Sequence, residues 1–320
     1  MRLIRWWLQA IALAGVISPF GPAIADAEEP LLPLPKPAPV VRKATPVVPK
    51  FANLAYGDAP GGANLLDIYL PEKKEGPFPL VVWIHGGGWA NGDKSPSGQF
   101  LQLLPRGFAV ASINYRLSGQ AHFPAQIYDC KGAIRWLRAH AREYQLDPDR
   151  IGVWGLSAGG HLVALLGTSG GVKELEGDVG GNLGVSSRVQ AVSDYCGPTD
   201  LLQFYDQAGP DNVFKNNLRL KGDTYFEALF GGGPLEQHNQ LIRLANPINY
   251  ISSNLPPFQI FHGSKDTLVP VGQSQILADA LKNAGSECDF TIIDGYGHGF
   301  GQRQYLATFA FFEKRLKGAP

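Results

Sequence analysis

From residue 51 onward, short apolar runs alternate with longer amphipathic stretches, and few architectures accept that order. Leu80 to His85 is a continuous apolar run leading into three glycines, and Phe108 to Tyr115 is a second such run. Unbroken apolar runs of this length are how strands buried on both faces read. Leu65 to Leu70, bounded by Gly61-Gly62 and Pro71, predicts an earlier strand, and Arg150 to Leu156, Val189 to Tyr195, Phe258 to His262 and Cys288 to Ile293 predict four more. Between them, Pro124 to Tyr144 sets Ile127, Cys130, Ile134, Leu137 and Ala141 on one helical side, with Pro124 suited to a first turn. Ala158 to Leu166 reads as a small-residue helix, Ser274 to Ala284 as a helix ended by Gly285, and Gln302 to Leu316 as the last helix. This alternation predicts an α/β fold, with a mainly parallel sheet and helices on both faces. At 320 residues the chain could hold one large or two small domains, and alternation that resumes to the C-terminus argues for one, over 51–320.

Residues 199 to 250 interrupt the rhythm with aromatics, glycine and asparagine and a Gly231-Gly232-Gly233-Pro234 break. A structureless stretch of that length inside a compact domain is improbable, so a partly helical insertion over the carboxyl edge of the sheet is expected. The N-terminus has a different character. Arg2 and Arg5, the apolar run Trp6 to Ile17 and Ala23-Ile24-Ala25 form the pattern of a cleavable signal peptide over residues 1–25. A retained anchor is the rival reading, although the run is short for a membrane span. Seven prolines between residues 30 and 50 make 26–50 an extended tether. Export to the periplasm or medium is the expectation, with no stable membrane insertion after cleavage.

Hydrophobic residues at 44% against 18% charged leave enough apolar material for a large core. A formal net charge of zero without a basic cluster excludes a nucleic-acid footprint. Cys130, Cys196 and Cys288 are too widely spaced for a CxxC motif and lie in apolar surroundings. Buried structural thiols are therefore expected, with one disulfide possible. Histidines and carboxylates show no metal-ligand spacing, so no metal and no cofactor are expected.

The chemistry is carried by Gly155-Leu156-Ser157-Ala158-Gly159, which follows a strand and opens a helix. A serine on that tight turn is exposed at the sheet edge, flanking glycines remove clashes, and the helix N-terminus points free N–H groups at developing negative charge. His85-Gly86-Gly87-Gly88-Trp89 ends an earlier strand, and its glycines let backbone N–H groups approach a substrate to form an oxyanion hole. No Walker-type lysine follows them, which argues against a phosphate loop. Of seven histidines, His298 in Gly297-His298-Gly299-Phe300, just beyond the last strand, is best placed to be the base. His85, His161 and His262 suit structural work. Asp266, in the loop after the preceding strand, would orient that base, with Asp294 and Asp200 as rivals.

HGGGW followed by GLSAGGH resembles the esterase and lipase branch of the α/β-hydrolases, including hormone-sensitive-lipase-like carboxylesterases. With Tyr115-Arg116-Leu117, Asp147-Pro148-Asp149-Arg150-Ile151 and Asn246-Pro247, the wider pattern is closer to bacterial feruloyl and acetyl-xylan esterase-like proteins, over residues 52 to 317. The resemblance implies Gly87, Gly88 and Ala158 as oxyanion donors. The order Ser157, Asp266, His298 is that of the α/β-hydrolases. A serine carboxylesterase acting on small or polysaccharide-linked esters, such as acetyl or feruloyl esters, is expected. A peptidase of the prolyl-oligopeptidase type and a non-catalytic binding module on the same fold are the alternatives. Trp89, Phe204, Phe214 and Tyr225, with Tyr205 and Phe226 beside them, are candidates for a substrate wall, or else for the insertion's own core.

Overall fold

The computed structural model describes residues 47–72, 75–95, 98–217, 219–220 and 222–318. The expected signal peptide and most of the proline-rich tether lie outside them. The chain opens with β1 (Phe51–Ala55), β2 (Leu65–Tyr69), β3 (Phe78–Ile84) and β4 (Ala109–Ile113). Next come α1 (Ala125–Ala139), β5 (Leu146–Leu156), α2 (Ala158–Thr168), α3 (Lys173–Glu176) and β6 (Ala191–Tyr195). The insertion holds α4 (Phe204–Gln207), α5 (Val213–Asn216), the hairpin β7 (Arg219–Leu220) and β8 (Asp223–Thr224), α6 (Tyr225–Phe230) and α7 (Asn239–Ala245). The chain closes with β9 (Phe258–Gly263), α8 (Gly272–Asn283), β10 (Cys288–Ile293) and α9 (Gln302–Leu316).

Eight strands form one sheet in the order β1-β2-β4-β3-β5-β6-β9-β10. Only the β1–β2 and β2–β4 pairings are antiparallel, and every pairing from β4 to β10 is parallel. The reason is legible in β3: Leu80, Val82 and Ile84 pack into one core with Ile134, Leu162 and Leu277. Val81 packs with Trp154, Phe309 and Phe312 on the other face. Successive side chains alternate across a strand, so covering both faces requires the unbroken apolar run. Truncating a fully buried ring such as Trp154 would cost roughly 3–5 kcal/mol.

Several boundaries differ from the expectation by a residue or two, and β1, α1 and β5 differ by more. The strand β1 escapes the hydrophobic pattern because it is an edge strand with largely exposed side chains. Helix α1 stops at Ala139 instead of reaching Tyr144: His140 leaves helical backbone at φ −100° and ψ 14°, and its Nδ1 hydrogen-bonds to the Trp136 carbonyl. Strand β5 begins four residues earlier than expected, with Leu146 pairing Phe78 before a register shift. Gly285 lies just beyond α8 at φ 74° and donates its N–H to the Lys282 carbonyl. Short helices fill the insertion, and Thr224 and Glu227 close a capping box on α6. No helix among the described residues is long and apolar enough to cross a membrane.

Much of the motif set from the sequence is scaffold. Arg116 makes a two-pronged ion pair, 2.6 Å at its shortest, with the buried Asp129 and so ties the loop after β4 to α1. Arg150 pairs with Asp147 at 2.7 Å. The Asn246 side chain accepts from the Ile248 amide and starts a short 3-10 turn.

Candidate active site

Ser157 sits between β5 and α2 at φ 59° and ψ −122°, a conformation a side chain rarely adopts. The strain is held from both sides: its N–H donates to the Tyr195 carbonyl at 2.8 Å and its carbonyl accepts from the His161 amide at 3.0 Å. Glycine is required here by contact. A Cβ on Gly155 would stand 2.2 Å from the Gly159 carbonyl oxygen, and one on Gly159 would stand 2.1 Å from that of Ile84. The two strand ends can therefore press together only without side chains. Helix α2 starts with no side-chain cap, which leaves its first N–H groups turned toward the serine.

The second loop lies against this turn. A Cβ on Gly86 would be 2.7 Å from the Leu156 carbonyl and 3.3 Å from Ser157 Cβ, so the loop presses on the serine turn. The loop is shaped by the Gly87 carbonyl, which accepts from Ala90 and Asn91, and by Tyr115, whose hydroxyl donates to the His85 carbonyl at 3.0 Å. Gly87 and Gly88 both have left-handed φ. Among the described residues the N–H groups of Gly87, Gly88 and Ala158 donate to no protein acceptor. Three such donors around one serine suit an oxyanion.

His298 follows β10, and its Nδ1 donates to Asp266 Oδ2 at 2.7 Å. That bond leaves Nε2 as the acceptor, the tautomer a general base requires. The Asp266 side chain is fully buried; its Oδ1 accepts from the Leu268 and Val269 amides at 2.8 and 2.9 Å. Burial pushes its carboxyl up, but the bonds from His262 and His298, the His298 charge and the Val269 amide outweigh burial and hold it well below the usual carboxylate range. His262 bonds to the Val269 carbonyl and to Ser274 and stands 3.3 Å from Asp266 Oδ2, so it supports the acid. The rival acids are occupied elsewhere: Asp294 accepts from Ser264, and Asp200 from the Leu202 and Gln203 amides.

Ser157 and His298 meet at Cys196. This buried residue follows β6 with φ 45°, lies against the Ser157 backbone and brings its Sγ to 3.5 Å from His298 Nδ1. Burial, then the charges of Asp266 and Asp194, push its thiol well above the ordinary range. Among the described residues no hydrogen bond joins Ser157 Oγ to His298; such bonds often tighten only around bound substrate. Sequence spacing could not have found Cys196, which lies 39 residues after Ser157 and 102 before His298. All three cysteines are free thiols, so the possible disulfide is not formed; Cys130 and Cys196 are buried as expected, whereas Cys288 is only partly buried.

The proposed substrate wall needs correction. Trp89 is 1% exposed; its Nε1 donates to His161 at 3.3 Å and its ring lies 5.5 Å from that of Phe226. Phe204 and Phe226 are fully buried, with ring centroids 4.6 Å apart. These three rings are packing between insertion and oxyanion loop, not surface. His161 completes the joint: burial pushes it down to about 4, and its Nε2 donates to the Ala245 carbonyl at 2.8 Å. Tyr225 is different. It is partly buried, a Cβ on Gly88 would strike its ring at 2.2 Å, and its hydroxyl accepts from Asn91 Nδ2 at 2.7 Å. It therefore borders the oxyanion loop. The Phe214 side chain lies outside the described residues.

Comparison with known proteins agrees with this fold. The BD-FAE family model matches residues 66–281, a span that includes Ser157 and Asp266 and stops short of His298. Esterase LipC of Mycobacterium tuberculosis is 31% identical over 255 residues, which cover 78% of this chain and 59% of that protein. The chain spans between a half and three-fifths of the length of such curated relatives. A truncated carbohydrate esterase from gut microbiota superposes with a TM-score of 0.76 at 33% identity, covering 83% of this chain and 96% of that one. Esterase 2 of Thermogutta terrifontis, solved phosphorylated by paraoxon, gives 0.63 at 26% identity, covering 83% and 95%.

Proposed function

Because the chain belongs to the BD-FAE family, we propose that it is a serine carboxylesterase in which Ser157 is the nucleophile, His298 the base and Asp266 the acid that orients it. The observation that carries the reading is the strained Ser157 at the strand-to-helix turn, with uncommitted backbone donors beside it. His298 Nε2 takes the hydroxyl proton as Ser157 Oγ attacks the ester carbonyl carbon. The carbonyl oxygen becomes an oxyanion held by the N–H groups of Gly87, Gly88 and Ala158. Asp266 stabilises the imidazolium without taking its proton. Collapse breaks the carbon–oxygen bond, the departing alcohol takes the proton from His298, and water repeats the sequence on the acyl-enzyme.

The substrate class we infer is an ester carried on carbohydrate, acetyl or feruloyl, and the likeness to a carbohydrate esterase supports it. The seating of an organophosphate on the Thermogutta esterase supports the serine mechanism. An organophosphonate should label the wild-type chain stoichiometrically at Ser157 and leave Ser157→Ala unlabelled. Label on another residue, or none, would remove the assignment. Rates on acetyl-xylan, methyl ferulate and p-nitrophenyl acetate, measured side by side, test the substrate: a preference confined to the simple ester argues against carbohydrate.

A further inference from the structure

Cys196 Sγ, a ring nitrogen of His298 and a carboxylate oxygen of Asp266 all lie within 4.8 Å of one another. We propose that this cluster is an inhibitory site for a soft divalent cation of the zinc and cadmium type, chelated by Cys196, His298 and Asp266. Its binding stands on the cluster alone; that it silences the enzyme rests on the esterase reading.

The geometry is half-formed already. A tetrahedral ion at ~2.3 Å from sulfur and ~2.0–2.1 Å from nitrogen spaces those two ligands by about 3.5 Å. Cys196 Sγ and His298 Nδ1 stand 3.5 Å apart. The Nδ1–Oδ2 separation is 2.7 Å. The carboxylate would have to withdraw by about 0.6 Å to reach the tetrahedral spacing. Charge also suits: a dication with one thiolate, one carboxylate and a neutral imidazole is neutral overall, which a buried site tolerates. The set mixes soft sulfur with imidazole, which selects zinc or cadmium over magnesium or calcium. His298, 16% exposed at its side chain, gives the approach, while Cys196 and the Asp266 side chain have no exposed surface. Cys196 also holds a left-handed φ of 45° that glycine would adopt without strain, so a side chain is kept there against the backbone's preference.

Binding releases the thiol proton to solvent, and the cation's charge offsets the carboxylate that otherwise opposes that loss. The metal replaces the proton on His298 Nδ1, which moves to Nε2. A protonated Nε2 cannot accept the serine proton, so acyl transfer stops. The reaction balances as one cation in and one proton out.

The test is a titration of the full chain with cadmium chloride in a non-chelating buffer, followed by the ultraviolet thiolate-to-cadmium charge-transfer band and by p-nitrophenyl acetate hydrolysis. Band and inhibition should rise together, saturate at one equivalent and reverse with EDTA, while magnesium does neither. Cys196→Ser should weaken cadmium binding by ~100-fold or more, since losing a ligand costs at least as much as losing an outer partner. If Cys196→Ser does not fold, Cys288→Ser should keep band and inhibition, and His298→Ala should weaken the band. Ser157→Ala, inactive on the esterase reading, should still give the full band, which separates failure of one idea from failure of the other. An absent band, a band and inhibition that survive Cys196→Ser, or a band undiminished in His298→Ala, overturns the site.

Discussion

Asp266 and Asp194 are buried carboxyls a few residues from the same chemistry, and their surroundings drive them in opposite directions. Asp266 is surrounded by donors and stays ionised, so Asp266→Asn would keep the shape while favouring the wrong histidine tautomer. Turnover should fall on the order of 10⁴-fold, as in the comparable serine-protease case, whereas Asp294→Asn should cost little. Steady-state kinetics on one ester decide it, and a greater loss in Asp294→Asn refutes the assignment. Among the described residues Asp194 has only the Gly197 amide on Oδ1 and no hydrogen-bond partner on Oδ2. Burial, opposed by the Gly197 bond and the His262 charge, pushes it up to about 7. A folded value above the unfolded one means its stability contribution is complete below about pH 4 and is lost as pH rises through 7. Asp194→Asn stays neutral, so denaturant melts should show the variant gaining on wild type by up to roughly 4 kcal/mol between pH 4 and 8. A pH-independent difference would mean the acid is not buried neutral.

At the level of elements, α6 decides how the insertion reaches the site. Its capping box starts the helix at Tyr225, which puts Tyr225 on the oxyanion loop and Phe226 in the core with Phe204 and Trp89. Neighbouring aromatics therefore have different work. Phe226→Ala should cost roughly 3–5 kcal/mol and depress every substrate alike, because it empties the joint between insertion and loop. Tyr225→Phe removes only the hydroxyl that accepts from Asn91. It should leave stability within about 1 kcal/mol and shift kcat/KM unevenly among esters. Melting curves and an ester panel on both variants check this; uniform loss in Tyr225→Phe would make α6 scaffold throughout.

At the scale of the whole sheet, the proposed chemistry lies on loops at one edge, where β3, β5, β9 and β10 lead into the glycine loop, Ser157, the Asp266 loop and the His298 loop. The sheet, both cores and every proposed catalytic residue fall within 47–318. A chain beginning at Val47 should therefore melt within about 4 °C of the full chain, a difference of ~1 kcal/mol for a domain of this size, and hydrolyse esters at the same rate. A larger fall in Tm would assign a stabilising role to the first 46 residues.

Sequence alone determined the parallel sheet, since covering a strand on both faces demands unbroken apolar runs such as Leu80 to Ile84. It also determined the serine turn and the glycine loop, because left-handed backbone and contacts near 2.2 Å admit only glycine at positions such as Gly87 and Gly155. Those signals are local, written in neighbours a few residues apart. Tertiary structure decided what depends on register between distant strands. It set Cys196 beneath His298, His262 behind Asp266, and Trp89 and Phe204 inside while Tyr225 faces the loop. No periodicity distinguishes two adjacent aromatics at a helix start. Which one meets the site follows from where α6 docks, and docking is fixed by packing between residues more than a hundred positions apart.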